Sequence, residues 1–349
     1  MGRACLRLVG MVMACLTLSL AGCSDSPGRL DRALWDDYAR RFISADGRVT
    51  DADSGPPGIT HTEAQGYGLL LAEAAGDRQT FDRIWQWTQK TLRRPDGLFS
   101  WKFGPCGQPA GCVLDANNAS DGDILIAWAL LRAGRAWDRP DYVDAARAIS
   151  MAVAEHQTVQ AGALTLLLPG RDGFVSGQAV VVNPSYWLFP AFRDFAMAFG
   201  HPAWDALSRS ALTLLRQGRF GVWGLPPDWM QVENGAVALA PDQPPQYGFN
   251  AVRVPLNLVW GGQTDPALLA PFRAFWRAPR SGPVPAWVDL RSGETAPYGW
   301  QTGMAAVAAL TDGQADLPRP GGGDGYYAWS LALLARVAQA DLRGAGPGR

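Results

Sequence analysis

The sequence predicts an all-α domain of helical hairpins with a few short strands in its loops, and three observations carry that expectation. Eleven segments repeat their apolar residues at helical spacing, while strand-like runs are few and short. No linker-like stretch divides the chain once its N-terminal region is past. The 349 residues are 48% hydrophobic and 18% charged, enough apolar material for one large core. Twelve helices would close an (α/α)6 barrel, and eleven with one misread are compatible with that closure.

The N-terminal region has a different purpose. Arg3 and Arg7 precede an apolar run from Leu8 to Leu20, which ends in Leu20-Ala21-Gly22-Cys23. A basic start, a short apolar core and small residues before a cut mark a secretory signal, too short for a stable membrane span. The Leu-Ala-Gly-Cys ending resembles a bacterial lipoprotein box, in which the cysteine is lipidated and becomes the first residue. Residues 1–22 are therefore expected to be a lipoprotein signal peptide, Cys23 the lipidation site and residues 23–30 a flexible tether. Ser24 stands where an aspartate would favour inner-membrane retention. A periplasmic protein on the outer membrane is expected, held by lipid rather than by a spanning helix. Loss of residues 1–22 moves the net charge from −1 to −3 and leaves no basic block, which argues against nucleic acid as a partner.

The first helix spans about 31–42, where Leu34, Trp35, Tyr38 and Phe42 share a face. A loop with Gly47, Asp51, Asp53 and Pro56-Pro57 follows. The second helix opens at about Thr60 and runs to Ala75, where Gly76-Asp77 breaks it; the third covers about 79–93. A loop rich in Gly, Pro and Cys carries Trp101. The fourth helix follows Asn118 and runs to Trp137, and Arg139-Pro140 starts a fifth that lasts to His156. Residues 163–168 and 174–182 read as strands, being β-branched or apolar and bounded by Gly and Pro. Helices resume at about 185–199 and 202–217, followed by a long Pro-rich loop over 219–246. Loops of that length in compact domains tend to be functional. The last helices are expected at about 249–259, 266–276, 299–310 and 325–340, with a strand-like run at 286–290. The domain is assigned to residues 31–342 and a flexible tail to 343–349.

Cys5 and Cys15 leave with the signal, so Cys106 and Cys112 are the pair that remains beside Cys23. An oxidising compartment makes them a small disulfide staple. The three histidines, His61, His156 and His201, lack metal-ligand spacing. No metal and no cofactor is expected. The fifteen Trp and eight Tyr exceed what a core needs and suit a cleft for flat, polar rings. Nucleophile-elbow and Gly-rich phosphate-cradle motifs are missing from the sequence.

Ser120, Asp121 and Asp123 crowd the start of the fourth helix. A short side-chain oxygen there caps free N–H groups, and carboxylates complement the positive end of the helix dipole. Capping through Ser120, Asp121 or Asp123 needs one acceptor, so the doubled acid around Gly122 points to a second role. Glu63 occupies the corresponding turn of the second helix, between Thr62 and Gln65. For it to act as a general acid near neutral pH, burial or a neighbouring carboxylate must raise its pKa.

From Ala119-Ser-Asp-Gly-Asp123 through Ile126-Ala127, Ala129-Leu-Leu131 and Ala133 to Trp137, the segment resembles the full signature of glycoside hydrolase family 8. Thr62-Glu-Ala-Gln-Gly-Tyr-Gly-Leu69 resembles the family's acid-bearing segment, and Asn183-Pro-Ser-Tyr186 its subsite-tyrosine segment. Gly224-Leu-Pro-Pro-Asp-Trp229 and Gly325-Tyr-Tyr327 look like the branch that accompanies bacterial cellulose synthesis. The resemblance extends in order from about Leu34 to Ala340. It implies an (α/α)6 barrel that cleaves β-1,4-glucan chains internally with inversion. Glu63 would donate the proton to the leaving oxygen, Asp121 would hold and help distort the sugar at the cleavage point, and Tyr186 would line the same subsite. Trp101 would stack on a glucose ring, Arg253 would contact substrate beside the base, and Asp123 would cap or brace the loop. Cellulose is the implied polymer, with trimming of nascent chains as the role and the cellulose synthase and export complex as a partner.

One position departs from the pattern. The family's base lies in a Tyr-Asp-Ala-x-Arg segment, which here reads Phe249-Asn250-Ala251-Val252-Arg253. An inverting mechanism needs a carboxylate to take a proton from water, and a neutral amide orients water without serving as a base. The alternatives are Asp228, Asp242, Asp289 and Glu294, or Asp121 in a relay. Two other readings stand beside a cellulase: a non-catalytic or weakly active glucan-binding or export-scaffold protein on the same fold, and a family-8 hydrolase of another β-glucan.

Overall fold

The computed structural model describes residues 29–108 and 110–344. The expected signal peptide, Cys23, the tether up to residue 28 and residues 345–349 lie outside the described residues. In chain order the helices are α1 (Arg32–Phe42), α2 (Thr62–Ala75), α3 (Arg78–Leu92), α4 (Ser120–Trp137), α5 (Pro140–His156), α6 (Phe189–Phe199), α7 (Ala203–Gln217), α8 (Arg253–Trp260), α9 (Pro266–Arg277), α10 (Thr302–Thr311) and α11 (Tyr326–Gly344).

Sequence pattern sorts them into two rings. Helices α1, α3, α7 and α9 carry one apolar stripe and a polar back, the pattern of a surface helix. By contrast α2 buries every residue except Glu63 and Ala75, α8 buries all of its residues, and α10 exposes only Thr302 and Ala305. Helices buried on all sides belong inside. Contacts run α2 to α4, α6, α8, α10 and α11, and α11 returns to α2, which closes an inner ring of six. Outside lie α1, α3, α5, α7 and α9; the loop between α10 and α11 stands where a sixth outer helix would complete the pairs. The fold is the (α/α)6 barrel, with eleven helices among the described residues.

Local chemistry sets the helix ends. The Asp31 carboxylate accepts from the N–H groups of Ala33 and Leu34 to start α1, and Asp77 does the same for Thr80 in α3. His61 Nδ1 accepts from Ala64 N and caps α2, which ends on Gly76 in the left-handed region. The cap of α11 comes from far away in sequence: the Asp53 carboxylate accepts from Tyr326 N at 3.0 Å and Tyr327 N at 2.9 Å.

Short strands crown the loops: β1 (Thr60–His61), β2 (Ser100–Gly104) and β3 (Cys112–Asn118) form one sheet, and β4 (Thr158–Ala161) and β5 (Leu164–Leu167) a hairpin. A four-stranded sheet joins β6 (Val175–Ser176), β7 (Ala179–Val182), β8 (Met230–Glu233) and β9 (Ala236–Leu239), while β10 (Gln246–Tyr247) pairs with β11 (Val288–Asp289). Cys106 and Cys112 are joined in a disulfide where β2 turns toward β3.

Several expected boundaries are corrected. The Pro-rich loop over 219–246 contains β8 and β9: β8 pairs with β7 through Val182↔Met230 and Val180↔Val232, and β9 pairs with β8. Helix α8 begins at Arg253 rather than 249, because the N–H groups of Gly248 and Ala251 are taken by the Asp228 carboxylate. A 3-10 turn, Pro184–Tyr186, precedes α6, which starts at Phe189 rather than 185. At the N-terminal side the barrel begins before residue 31: Leu30 is buried, and Arg29 pairs with Glu73 and Asp341. At the other end α11 runs to Gly344, into the stretch expected as tail. No described helix is long and apolar enough to cross a membrane.

Candidate active site

Two inner helices bring two acids to the barrel mouth. Glu63 is the second residue of α2 and Asp121 the second of α4, so both lie at positive helix ends that favour a negative charge. Glycines let these helices approach closely. A Cβ on Gly122 would lie 2.0 Å from Thr62 Oγ1, and one on Gly66 2.5 Å from Leu125 Cβ. The glycine between the doubled acids is therefore a packing requirement that sets Asp121 beside Glu63.

The third side of the site comes from α8, whose first residue is Arg253. Its Nη1 donates to Glu63 Oε2, donates to Tyr67 Oη at 3.1 Å and lies 3.6 Å from Asp121 Oδ2. Its Nη2 donates to Ser185 Oγ at 2.9 Å and to Asn250 Oδ1 at 2.7 Å. The ring of Tyr186 lies 6.0 Å from the guanidinium carbon. The side chains of Arg253 and Asp121 are only 6% and 3% exposed, and Glu63 is 15% exposed, so of the three Glu63 is the one open to the mouth.

Burial pushes the Asp121 carboxyl well above its ordinary value, and the negative charge of Glu63 pushes the same way. Burial also works to raise Glu63, but the Arg253 guanidinium, with His61 and the neighbouring Asp121 and Tyr67, outweighs it and holds Glu63 below the usual carboxylate range. Asp121 Oδ1 accepts from Gly122 N at 2.8 Å, whereas the buried Oδ2 makes no hydrogen bond, with Arg253 Nη1 3.6 Å away. Burial and the neighbouring charge thus favour the proton on Asp121 and the negative charge on Glu63.

The expected capping role of Ser120, Asp121 and Asp123 is corrected. Ala119 precedes α4 without a side-chain cap, and Ser120 N donates to Pro169 O instead. Asp123 braces the loop: its carboxylate accepts from Phe99 N at 3.0 Å, Asn118 Nδ2 at 2.7 Å and Gln157 Nε2 at 3.1 Å. Burial outweighs these bonds and pushes it up to about 7.

Asn250 occupies the expected base position as a neutral amide, with Oδ1 accepting from Arg253 and, at 3.3 Å, from Asn183 Nδ2. Of the alternative acids, Asp228 is buried and already engaged: Oδ1 accepts from Gly248 N at 3.0 Å and Ala251 N at 2.7 Å, and Oδ2 from Gln246 Nε2 at 3.3 Å. Burial raises its pKa. It fixes the loop that carries Asn250. Asp289 closes an exposed turn through Arg291 N and Ser292 N, and Asp242 and Glu294 are exposed.

Glu63, Asp121, Tyr186, Asn250 and Arg253 thus share one cluster. Trp101 lies outside it on β2, half-buried, with the Lys102 ammonium 5.3 Å from its ring; β2 pairs with β1, which leads into α2. Sequence reasoning passed over Ser185 and Asn183 as polar partners of Arg253 and Asn250, and over Asp228 as a brace. Their only signal was position, inside segments already singled out for a tyrosine and a tryptophan. Among the described residues no group of three or more His, Cys, Asp and Glu is arranged to hold a metal.

The family model for Glycosyl hydrolases family 8 matches residues 4–341. The probable endoglucanase of Novacetimonas hansenii is 39% identical over 312 residues, covering 88% of this chain and 90% of the relative. A family 8 endoglucanase structure from Klebsiella pneumoniae has a TM-score of 0.84 at 39% identity, covering 89% of this chain and 100% of that one. The endo-β-1,4-glucanase of Acetobacter xylinum has a TM-score of 0.84 at 37% identity, covering 90% and 99%.

Proposed function

The chain belongs to glycosyl hydrolases family 8, and from that premise we propose that its barrel mouth cleaves β-1,4-glucan internally, with inversion at the anomeric carbon. It is a glycoside hydrolase, an endo-1,4-β-glucanase. The observation that carries the mechanism is the placing of Glu63 and the buried Asp121 under one guanidinium, Arg253.

In the resting site Glu63 is an anion paired with Arg253, which is the wrong state for an acid. A glucan entering the mouth excludes water, and the proton favoured on Asp121 moves to Glu63, whose carboxylate lies under the same guanidinium. Glu63 then gives that proton to the leaving glycosidic oxygen as the bond from the anomeric carbon breaks. Asp121, now charged, accepts from a sugar hydroxyl at the cleavage point and favours the distorted ring, with Tyr186 as the wall. Water attacks from the opposite face. Asn250 orients it, and the proton it sheds passes to solvent.

Purified protein without residues 1–22 is incubated with carboxymethylcellulose and cello-oligosaccharides, alongside Glu63→Gln. Wild type is expected to release sugar of inverted configuration and the variant none. Equal release by both, or binding without turnover in wild type, overturns the mechanism.

The same proposal places the enzyme in the periplasm, lipidated at Cys23 on the outer membrane, trimming nascent cellulose beside the synthase and export complex. The Leu20-Ala21-Gly22-Cys23 box and the basic, apolar start support it. Labelling with a fatty-acid analogue should mark the wild-type chain and miss Cys23→Ser; a label on both would refute the anchor.

A further inference from the structure

A second aromatic feature stands on the rim across from Trp101. In the inner ring α2 faces α8 and α4 faces α10. The sheet carrying Trp101 crowns the α2 and α4 side, while the β10–β11 pair and the hairpin over 286–298 lie beside the loop into α8 and ahead of α10. Hydrogen bonds from Ala296 N to Trp287 O and from Ala286 N to Tyr298 O hold that hairpin. Ala286 and Val288 are buried, so strand alternation turns Trp287 to the other face. There its Nε1 donates to Tyr298 Oη at 3.3 Å, and Tyr298 is 53% exposed.

The hairpin is in register with the catalytic cluster. A Cβ on Gly248 would meet Trp287 Cβ at 3.2 Å and Asp228 Oδ2 at 3.1 Å. Gly248 precedes Asn250 by two residues, a span of at most about 7 Å. Asp228 ties Gly248 and Ala251 together, and Asn250 holds Arg253, which holds Glu63. The aromatic pair is thus tied, through Gly248 and the Asn250 loop, to the residues of the catalytic cluster. It is flat and partly exposed, and it carries a hydroxyl that can reach a sugar hydroxyl. Aromatic faces of this kind bury the apolar C–H face of a glucose ring at low entropic cost.

We propose that Trp287 and Tyr298 form a glucosyl-binding subsite on the side of the cleavage point opposite Trp101. The inference rests on the endoglucanase reading. A glucan crossing the mouth runs from Trp101 over Glu63 and Asp121 to this pair, which sets how much chain is gripped beyond the broken bond.

Cellohexaose labelled at its reducing end reports which bond is cut. Trp287→Ala should raise KM about five- to tenfold with a smaller change in kcat, and should move the cut toward the chain end that this pair grips. Trp101→Ala should move the cut the other way. Tyr298→Ala, on an exposed side chain, gives about a threefold effect in the direction of Trp287→Ala and serves if that variant fails to fold; Trp287→Phe should restore most of the affinity. An unchanged cleavage pattern, or a shift in the same direction for Trp101→Ala and Trp287→Ala, overturns the subsite. The same substitutions in Glu63→Gln, read by calorimetry with cellohexaose, keep the test independent of turnover. Weaker binding there supports the subsite even if wild type proves inactive, and unchanged affinity rejects it.

Discussion

Arg253 donates to the carboxylate of Glu63 across the barrel mouth, from a position 190 residues further along the chain. One guanidinium fixes the acid, the neutral Asn250 and the Ser185 turn in a single plane of contacts. Lysine has one compact charge in place of that fork and cannot hold them together. Arg253→Lys is expected to lower kcat/KM on carboxymethylcellulose about a hundredfold while leaving far-ultraviolet dichroism unchanged. Activity within a fewfold of wild type would show that the fork is dispensable.

The raised carboxyls give stability a pH signature. The folded-state pKa of Asp121 lies well above its unfolded value, so its contribution is fully present below about pH 4 and is lost as pH rises through the folded value. Asp123, pushed up to about 7, adds a loss of the same sign between about pH 4 and 7. Asp121→Asn removes the first loss. Its melting temperature should exceed wild type by about 2–4 °C at pH 8 and match it near pH 4, while hydrolysis falls sharply. Melting curves at the two pH values check this, and a gain confined to acid pH would contradict it.

Asn250 invites the converse experiment. Of the alternative acids, Asp228 is occupied by its own donors and Asp289 is bound in its own turn. Asn250→Asp adds a carboxylate within reach of Arg253 Nη2 and should raise kcat about ten- to a hundredfold. A lower kcat would mean that another group already takes the proton.

Asp228 accepts from two backbone N–H groups of the loop that carries Asn250. Asp228→Ala leaves those donors buried and unpaired, at a cost of about 2–4 kcal/mol in urea unfolding. Asp228→Asn keeps an acceptor and should lose less than half of that. If both lose the same amount, the negative charge rather than the acceptor is what the loop requires.

Most of the barrel was legible because its helices announce themselves locally. Leu34, Trp35, Tyr38 and Phe42 define α1 by spacing alone, and the outer helices behave alike. The misread boundaries all depend on distant partners. Met230 to Leu239 offers four-residue strands that are stable only against Val180 and Val182, and the late start of α8 depends on Asp228. At the site, Glu63, Asp121, Tyr186, Asn250 and Arg253 were each identified by their segments. That Glu63 is held down and Asp121 pushed up was not legible, because the sign is decided by a guanidinium on another helix and by burial. Ser120 looked like a cap because its residue type and place suit one, yet tertiary packing gave its N–H to Pro169 O.

The last link in the ring is the Asp53 carboxylate on the N–H groups of Tyr326 and Tyr327, reinforced where α1 leans on α11 and Arg29 meets Asp341. The first and last described elements are neighbours, so the ring is continuous in space where the chain is not. The barrel is a closed hoop with one clasp, and its cut point is a matter of gene order rather than of mechanics. A circular permutant opened at the turn around Gly162, where a Cβ would meet nothing within 4 Å, should rebuild the same hoop with the clasp made covalent.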